Sequence, residues 1–225
     1  MKSERPKIWL AWSSGKDSAW ALHVLRQRNE ADVAGLLTTI NAAADRAAMH
    51  AVRRTLVEAQ AAACGLPLVL VPIPDPCSNE EYEARMAEAM ETAKAQGVTG
   101  VAFGDLFLED VRAYRERQLG RAAMTAHFPL WGLNTAALAR EMQAGGLRAI
   151  VTCIDPRILA EGFVGREWDA AFLADLPAGV DPCAERGEFH SFAYAGPMFS
   201  RPLDVRKGEI VRRGGFIFAD VLPAE

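Results

Sequence analysis

The 225-residue chain has no C-x-x-C pair; its four cysteines stand at 64, 77, 153 and 183, with no zinc-type spacing to the four histidines. That argues against a metal or iron–sulfur cluster held within the chain and reads the cysteines as unpaired thiols in a reducing compartment, mostly in the core. Basic charge is not in excess either: the net charge of -4 gives no global attraction to nucleic acid or anionic membrane. No apolar run approaches the roughly 18 residues that cross a bilayer. Only five apolar residues, Ile8 to Trp12, follow Pro6 and Lys7 before Ser13, too few for a signal peptide. The expectation is a cytoplasmic protein with no membrane partner. A Walker loop, G-x-x-x-x-G-K-[ST], is also missing. With 50% apolar residues the chain can bury a sizeable core, as one large domain or one domain with a small appendage.

What is present is Ser13-Ser14-Gly15-Lys16-Asp17-Ser18, directly after the apolar run Ile8-Trp9-Leu10-Ala11-Trp12 and directly before the apolar-periodic stretch Ala19 to Leu25. This is the layout of a strand, a tight loop and a helix. A helix N-terminus presents free backbone N–H groups and partial positive charge, so small residues there can wrap a phosphate. Gly15 lets the backbone approach, Ser13 and Ser18 offer hydroxyls, and Lys16 adds a point charge. An acid in such a place requires a cation between itself and the phosphate, so Asp17 implies magnesium. The expected ligand is Mg-ATP. The plain alternative is a Ser/Gly turn with a capping serine.

Strand and helix patterns alternate through the first two thirds. Strands are expected at 7–13, Asp32 to Ile40, Leu68 to Ile73, Val101 to Asp105 and Ala149 to Asp155. Helices are expected at Ser18 to Arg28, around Met49, Val52, Leu56 and Ala63, around Tyr82, Met86, Met90 and Ala93, at Leu108 to Ala126 and at Thr135 to Ala144. The Leu-Val-Leu-Val run of the third strand predicts that it is buried. Such alternation predicts an α/β fold with an open doubly wound parallel sheet, its ligand beyond the carboxyl ends of the strands, where Ser13, Thr38, Thr39, Asp75, Asp105 and Asp155 fall. After about residue 156 glycines and prolines punctuate short segments, with strands at Phe189 to Tyr194 and Phe216 to Leu222. The expected division is an ATP-binding domain over 1–155 and a small C-terminal α+β subdomain over 156–225 that binds substrate.

The loop resembles the S-G-G-x-D-S loop of PP-loop ATP pyrophosphatases, with Ser14 where that pattern has a glycine; serine costs little there unless the position needs positive φ. A second stretch, Glu185-Arg186-Gly187-Glu188-Phe189-His190-Ser191 followed by Gly196-Pro197, resembles the E-G-G-E-[FY]-E-T stretch and Gly-Pro turn of the diphthine-ammonia ligase family. Met49-His50, Gly104-Asp105, Tyr114-Arg115-Glu116-Arg117 and Pro129-Leu130-Trp131-Gly132 extend that resemblance, as to a bacterial-type member, over most of the chain. The resemblance implies a HUP-like, PP-loop fold and a two-step reaction in which a carboxylate is adenylated, releasing pyrophosphate, and ammonia then displaces AMP. It implies ATP and Mg2+ at Ser13, Ser14, Gly15, Lys16, Asp17, Ser18, Thr39, Gly104 and Asp105, with the metal on Asp17. Substrate contacts are implied for His50, Arg115, Trp131, Glu185, Gly187, Glu188 and His190, and catalytic roles for Lys16, Asp17 and Glu188. The acceptor is a small or protein-borne carboxylate. His190-Ser191 stands where the ligases carry Glu-Thr, and Arg186 replaces a glycine, so the ATP chemistry transfers more directly than diphthine itself.

Plain readings stand beside these. Glu185 and Glu188 also fit a solvated turn, His50 a helix surface near Arg53 and Arg54, Trp131 a core position, and Cys183 a structural thiol. Arg112, Arg115, Arg117 and Arg121, interleaved with acids, fit either an anion grip or a salt-bridged solvent face. Two rival functions are a PP-loop transfer-RNA sulfur transferase, needing Cys153 or Cys183 as a reactive thiol and a basic surface, and a nucleotide-binding regulatory module without turnover. A homodimer is left open.

Overall fold

The computed structural model describes residues 5–47 and 50–224. Ile8, Trp9 and Leu10 make β1 (Lys7–Ala11) a strand with almost no exposure, which needs a neighbour on each edge. α1 (Lys16–Arg28) follows at once, burying Ala19, Trp20, Leu22 and Leu25 and stopping where Asn29 turns left-handed and bonds back to the Leu25 carbonyl. After β2 (Asp32–Asn41) and the two-residue β3 (Arg46–Ala47), α2 (Arg54–Cys64) ends at Gly65. The chain continues through β4 (Leu68–Ile73) and α3 (Asn79–Ala95). The Ser78 hydroxyl caps α3 by accepting the Glu81 N–H at 3.1 Å, with Glu80 and Glu81 favourably in its first turn. Next come β5 (Gly100–Ala102), α4 (Glu109–Arg121), β6 (Thr125–His127) and α5 (Thr135–Ala144), the last capped by Asn134. The C-terminal part holds β7 (Arg148–Ile154), short α6 (Ala170–Asp175), β8 (Phe189–Ala195), β9 (Val205–Arg213) and β10 (Phe216–Pro223).

Five strands lie parallel in the order β4–β2–β1–β5–β6, and β3 pairs antiparallel with the far end of β2. The chain winds outward from β1 to β4, then returns to β5 on the other edge of β1, so the winding reverses between β1 and β5. Residues of α1 and α2 pack on one face, and Ala89, Met90, Ala93 and Leu119 of α3 and α4 on the other. The α/β fold wound on both faces is therefore present, with the small C-terminal unit beside it. That unit is an antiparallel sheet in the order β8–β7–β10–β9, whose Val151, Phe192 and Ile217 share one apolar core with Trp20 and Leu22 of α1. Among the described residues no helix is long and apolar enough to cross a membrane.

Several elements differ from the sequence expectation. β7 extends the alternation in sequence but pairs with β8 and β10, so the second sheet begins upstream of residue 156. The helix expected over Leu108 to Ala126 is two elements: Ala123, in a left-handed conformation, breaks it, and β6 then joins β5. Val52 is buried but lies in a loop before α2, and Met49 lies outside the described residues. β4 is only half-buried because it is an outer strand of its sheet. β9 escaped the pattern altogether, since its exposed Arg, Lys and Glu residues give no apolar alternation.

Candidate functional site

Beyond the carboxyl ends of β1, β2 and β5, at the reversal of winding, lies a cavity of about 400 Å3. Ser13, Lys16, Asp17 and Ser18 form one wall, and Thr39, Gly104 and Asp105 line it from the neighbouring strands. Gly15 is the N-cap of α1, so the helix's first turn points at this space. Ser14 is fully buried with φ +71, so the position does need a left-handed backbone, and the serine there is strained. It is held there because its carbonyl accepts the Ala193 N–H at 2.9 Å and the Gln60 amide at 3.0 Å. Gly104 is required for space: a Cβ on it would sit 2.9 Å from the Asp17 carbonyl carbon.

Asp17 Oδ2 accepts Lys16 Nζ at 2.9 Å, while Oδ1 is buried with no hydrogen-bond partner among the described residues. Burial pushes the Asp17 carboxyl upward against the pull of Lys16. The Lys16 ammonium, which burial alone would lower, is held above its ordinary value chiefly by Asp17. It also donates to the Cys183 carbonyl and lies 5.3 Å from the Phe189 ring and 5.6 Å from the Trp168 ring. Lys16 thus reaches the C-terminal unit as well as lining the cavity.

The opposite wall is built by that unit and by α4. Glu185 Oε1 accepts the Leu106 N–H at 2.7 Å, clasping the turn after β5; burial raises its carboxyl despite these bonds. Arg115 forks onto Asp105 (2.5 and 3.1 Å) with its guanidinium 4.3 Å from the Phe103 ring. His50 and His190 face each other with centroids 4.8 Å apart. His50 Nδ1 donates to the Ser191 carbonyl at 2.9 Å, leaving Nε2 as an acceptor. Burial depresses His50 to about 3, helped by His190, and His190 to about 4, helped by Lys16, so both rings are neutral at pH 7.

Of the residues singled out from the sequence, His50, Arg115, Glu185, Gly187 and His190 line the cavity together with the loop. Glu188 does not: it is 3% exposed, and its two oxygens accept the Asp181 and Arg186 N–H groups at 3.2 and 3.1 Å, bracing its own turn. Trp131 is also absent from the wall, packing on Phe128 with Arg112 4.8 Å over its ring. Sequence reading missed Gln60, and it named Ser191 only within the second motif, without its contact to the loop. Gln60 is fully buried, accepts Trp12 Nε1 at 2.8 Å and donates to the Ala193 carbonyl, and Ser191 Oγ accepts the Lys16 N–H at 3.3 Å. The available signal for Gln60 was a lone amide interrupting the apolar stripe between Leu56 and Ala63.

Two family models match, the diphthamide synthase N-terminal domain over residues 6–124 and the C-terminal domain over residues 134–220. The chain belongs to the diphthamide synthase family. Similar curated proteins are the diphthine–ammonia ligases of Mus musculus, 27% identical over 64% of this chain, and Homo sapiens, 25% identical over 64%. The ligase of Bos taurus is 24% identical over 67%. The matches cover 56 to 58% of those relatives, so this diphthamide synthase family chain spans little more than half their length. The junction between the two family matches, residues 125–133, falls at β6 and the turn before α5.

Proposed function

We propose that the chain is an ATP-dependent ligase that adenylates a substrate carboxylate and forms an amide with ammonia. The observation carrying this is Asp17 Oδ1, a buried and unpartnered acceptor at a helix N-terminus in a walled cavity at the sheet's winding reversal. Magnesium bound there would take one protein carboxylate and complete its shell with phosphates and water, and it would neutralise charge on the departing pyrophosphate. With the Gly15 and Lys16 N–H groups bonded to Ser13 Oγ and Ser191 Oγ, the Asp17 and Ser18 N–H groups and the Ser13 hydroxyl orient the triphosphate.

The carboxylate oxygen attacks the α-phosphorus and the bond to the β-phosphate bridging oxygen breaks, releasing pyrophosphate. Ammonia then adds to the acyl carbon, the bond to AMP breaks, and one proton is lost. The His190 ring, on β8 beside the loop, lines the cavity and stays neutral, so it is suited to hydrogen-bond the incoming ammonia rather than to act as a strong base, the surplus proton leaving to solvent as AMP departs; the Glu185 clasp keeps the C-terminal wall over the cavity while the adenylate is present. Lys16 holds the same wall to the loop. A carboxylate alone is a poor acyl donor because oxide leaves badly; AMP leaves readily. The family membership and the names of the relatives support the reaction class, while His190-Ser191 and Arg186 argue for an acceptor other than diphthine.

The sulfur-transfer reading loses support from the cysteines. Burial pushes Cys153 up to about 12 and Cys183 higher still, so neither holds a ready thiolate. The test is incubation with ATP, ammonium and carboxylate pools from cell extract, following AMP and pyrophosphate. Acceptor-dependent AMP release that disappears in Asp17→Asn supports the reading; full activity in that variant, or release of ADP, sinks it.

A further inference from the structure

A second cavity, of about 210 Å3, adjoins the first and shares Ala47 and His190 with it. It opens between β3 and the β9–β10 hairpin. Its apolar lining comes from Phe216 and Phe218, its charged lining from Arg46 and Arg213, and none of its lining residues is an acid. Arg46 and the nearby Arg53 share a single carboxylate, Asp220, at 2.8 and 2.6 Å, so that cluster keeps one positive charge in excess. Arg213 makes no ion pair among the described residues, and its guanidinium lies 5.4 Å from the Phe218 ring. A guanidinium stacked on an aromatic ring keeps its hydrogen-bonding edge free for an oxyanion.

We propose that this cavity is the subsite for the far end of the acceptor, and that the acceptor carries a second oxyanion beside an apolar body. The proposal rests on the ligase reading. The carboxylate to be activated must enter the first cavity, near the loop, while the rest of the same molecule must go somewhere continuous with it. His190 stands at the shared wall, so an acceptor threaded past it places one end at each cavity. Two excess positive charges disfavour a quaternary ammonium and favour an anion at the far end.

The test uses three probes titrated by calorimetry in the presence of a non-hydrolysable ATP analogue: 3-phenylpropionate, phenylsuccinate and 3-phosphonopropionate. At least one of the two dianions is expected to bind about tenfold more tightly than the monocarboxylate. Which dianion gains shows whether the oxyanion is a carboxylate or a phosphate-like group. The advantage should vanish in Arg213→Ala and partly return in Arg213→Lys, both exposed changes that leave the melting temperature unaltered. Equal affinities, an advantage that survives Arg213→Ala, or no binding by any probe up to about 10 mM would overturn the proposal. AMP release measured separately tells the two ideas apart. Release without a dianion advantage removes the subsite and keeps the ligase; a dianion advantage without release from any carboxylate does the reverse.

Discussion

Replacing Ser14 by glycine is expected to stabilise the protein. At φ +71 a residue with a Cβ is strained by about 1 kcal/mol, which glycine relieves. The Ser14 hydroxyl is buried with no partner among the described residues, and removing such a group recovers about 1–2 kcal/mol of desolvation. Against this stand the lost burial of one methylene, about 0.8 kcal/mol, and the added freedom of the unfolded chain, about 0.7 kcal/mol. The balance is a gain of roughly 1 kcal/mol, which for a chain of this size raises the melting temperature by about 2–4 °C. Differential scanning calorimetry without ligand measures it directly, and a parallel titration with Mg-ATP shows whether the hydroxyl serves the nucleotide. A melting temperature unchanged or lowered would refute the reasoning, because it would mean that the serine is paired or unstrained in solution.

Gly104→Ala should weaken Mg-ATP binding by about tenfold or more, since the new Cβ meets the backbone of Asp17 and Ser18 and displaces the loop; calorimetric titration reads this, and wild-type affinity would show that the turn yields freely. Gln60→Leu should cost about 2–3 kcal/mol of unfolding free energy, read from urea titration, because Trp12 Nε1 and the Ser14 and Ala193 carbonyls lose their shared partner in the core. Stability should also fall between pH 7 and pH 5. The unfolded histidines take up protons below about 6.5, whereas His50 and His190 in the folded state stay neutral down to about 3 and about 4. Both rings are only half-buried, so together they remove less than about 4 kcal/mol over that range, and the raised Asp17 and Glu185 carboxyls act in the opposite sense; a pH dependence of urea unfolding that His50→Gln and His190→Gln leave unchanged would contradict the reasoning.

The loop, its strand and its helix were legible because all three signals are local: an apolar run, small polar residues, then a 3.6-residue period. The parallel sheet followed from alternation for the same reason. β6 was hidden because three residues beside β5 carry no period of their own, and Ala123 gives no sign of the left-handed turn that ends α4. Glu188 shows the limit at the site. A carboxylate in a glycine-rich polar turn reads as chemistry, yet this one satisfies two backbone N–H groups, a choice fixed by the fold of its turn. Gln60 lies at the opposite limit, since its partners at Trp12, Ser14 and Ala193 are remote in sequence. Ser14 was visible as a substitution, but its strain depended on a backbone angle no residue pattern records.

The contacts of Ser14, Gln60 and His50 with β8 also bear on solubility. β8 ends its sheet, and a bare terminal strand invites pairing with another chain. Here the Ser191 carbonyl is taken by His50, the Ala193 carbonyl by Gln60 and the Ala193 N–H by Ser14, so the phosphate-type loop and its neighbours act as a guard rail along that edge. The other border, β9, is guarded by charge, with Arg206, Lys207, Glu209, Arg212 and Arg213 exposed along it. A lesion that loosens the loop therefore uncovers a sticky margin as well as disabling a site, and its first symptom in a cell would be aggregation.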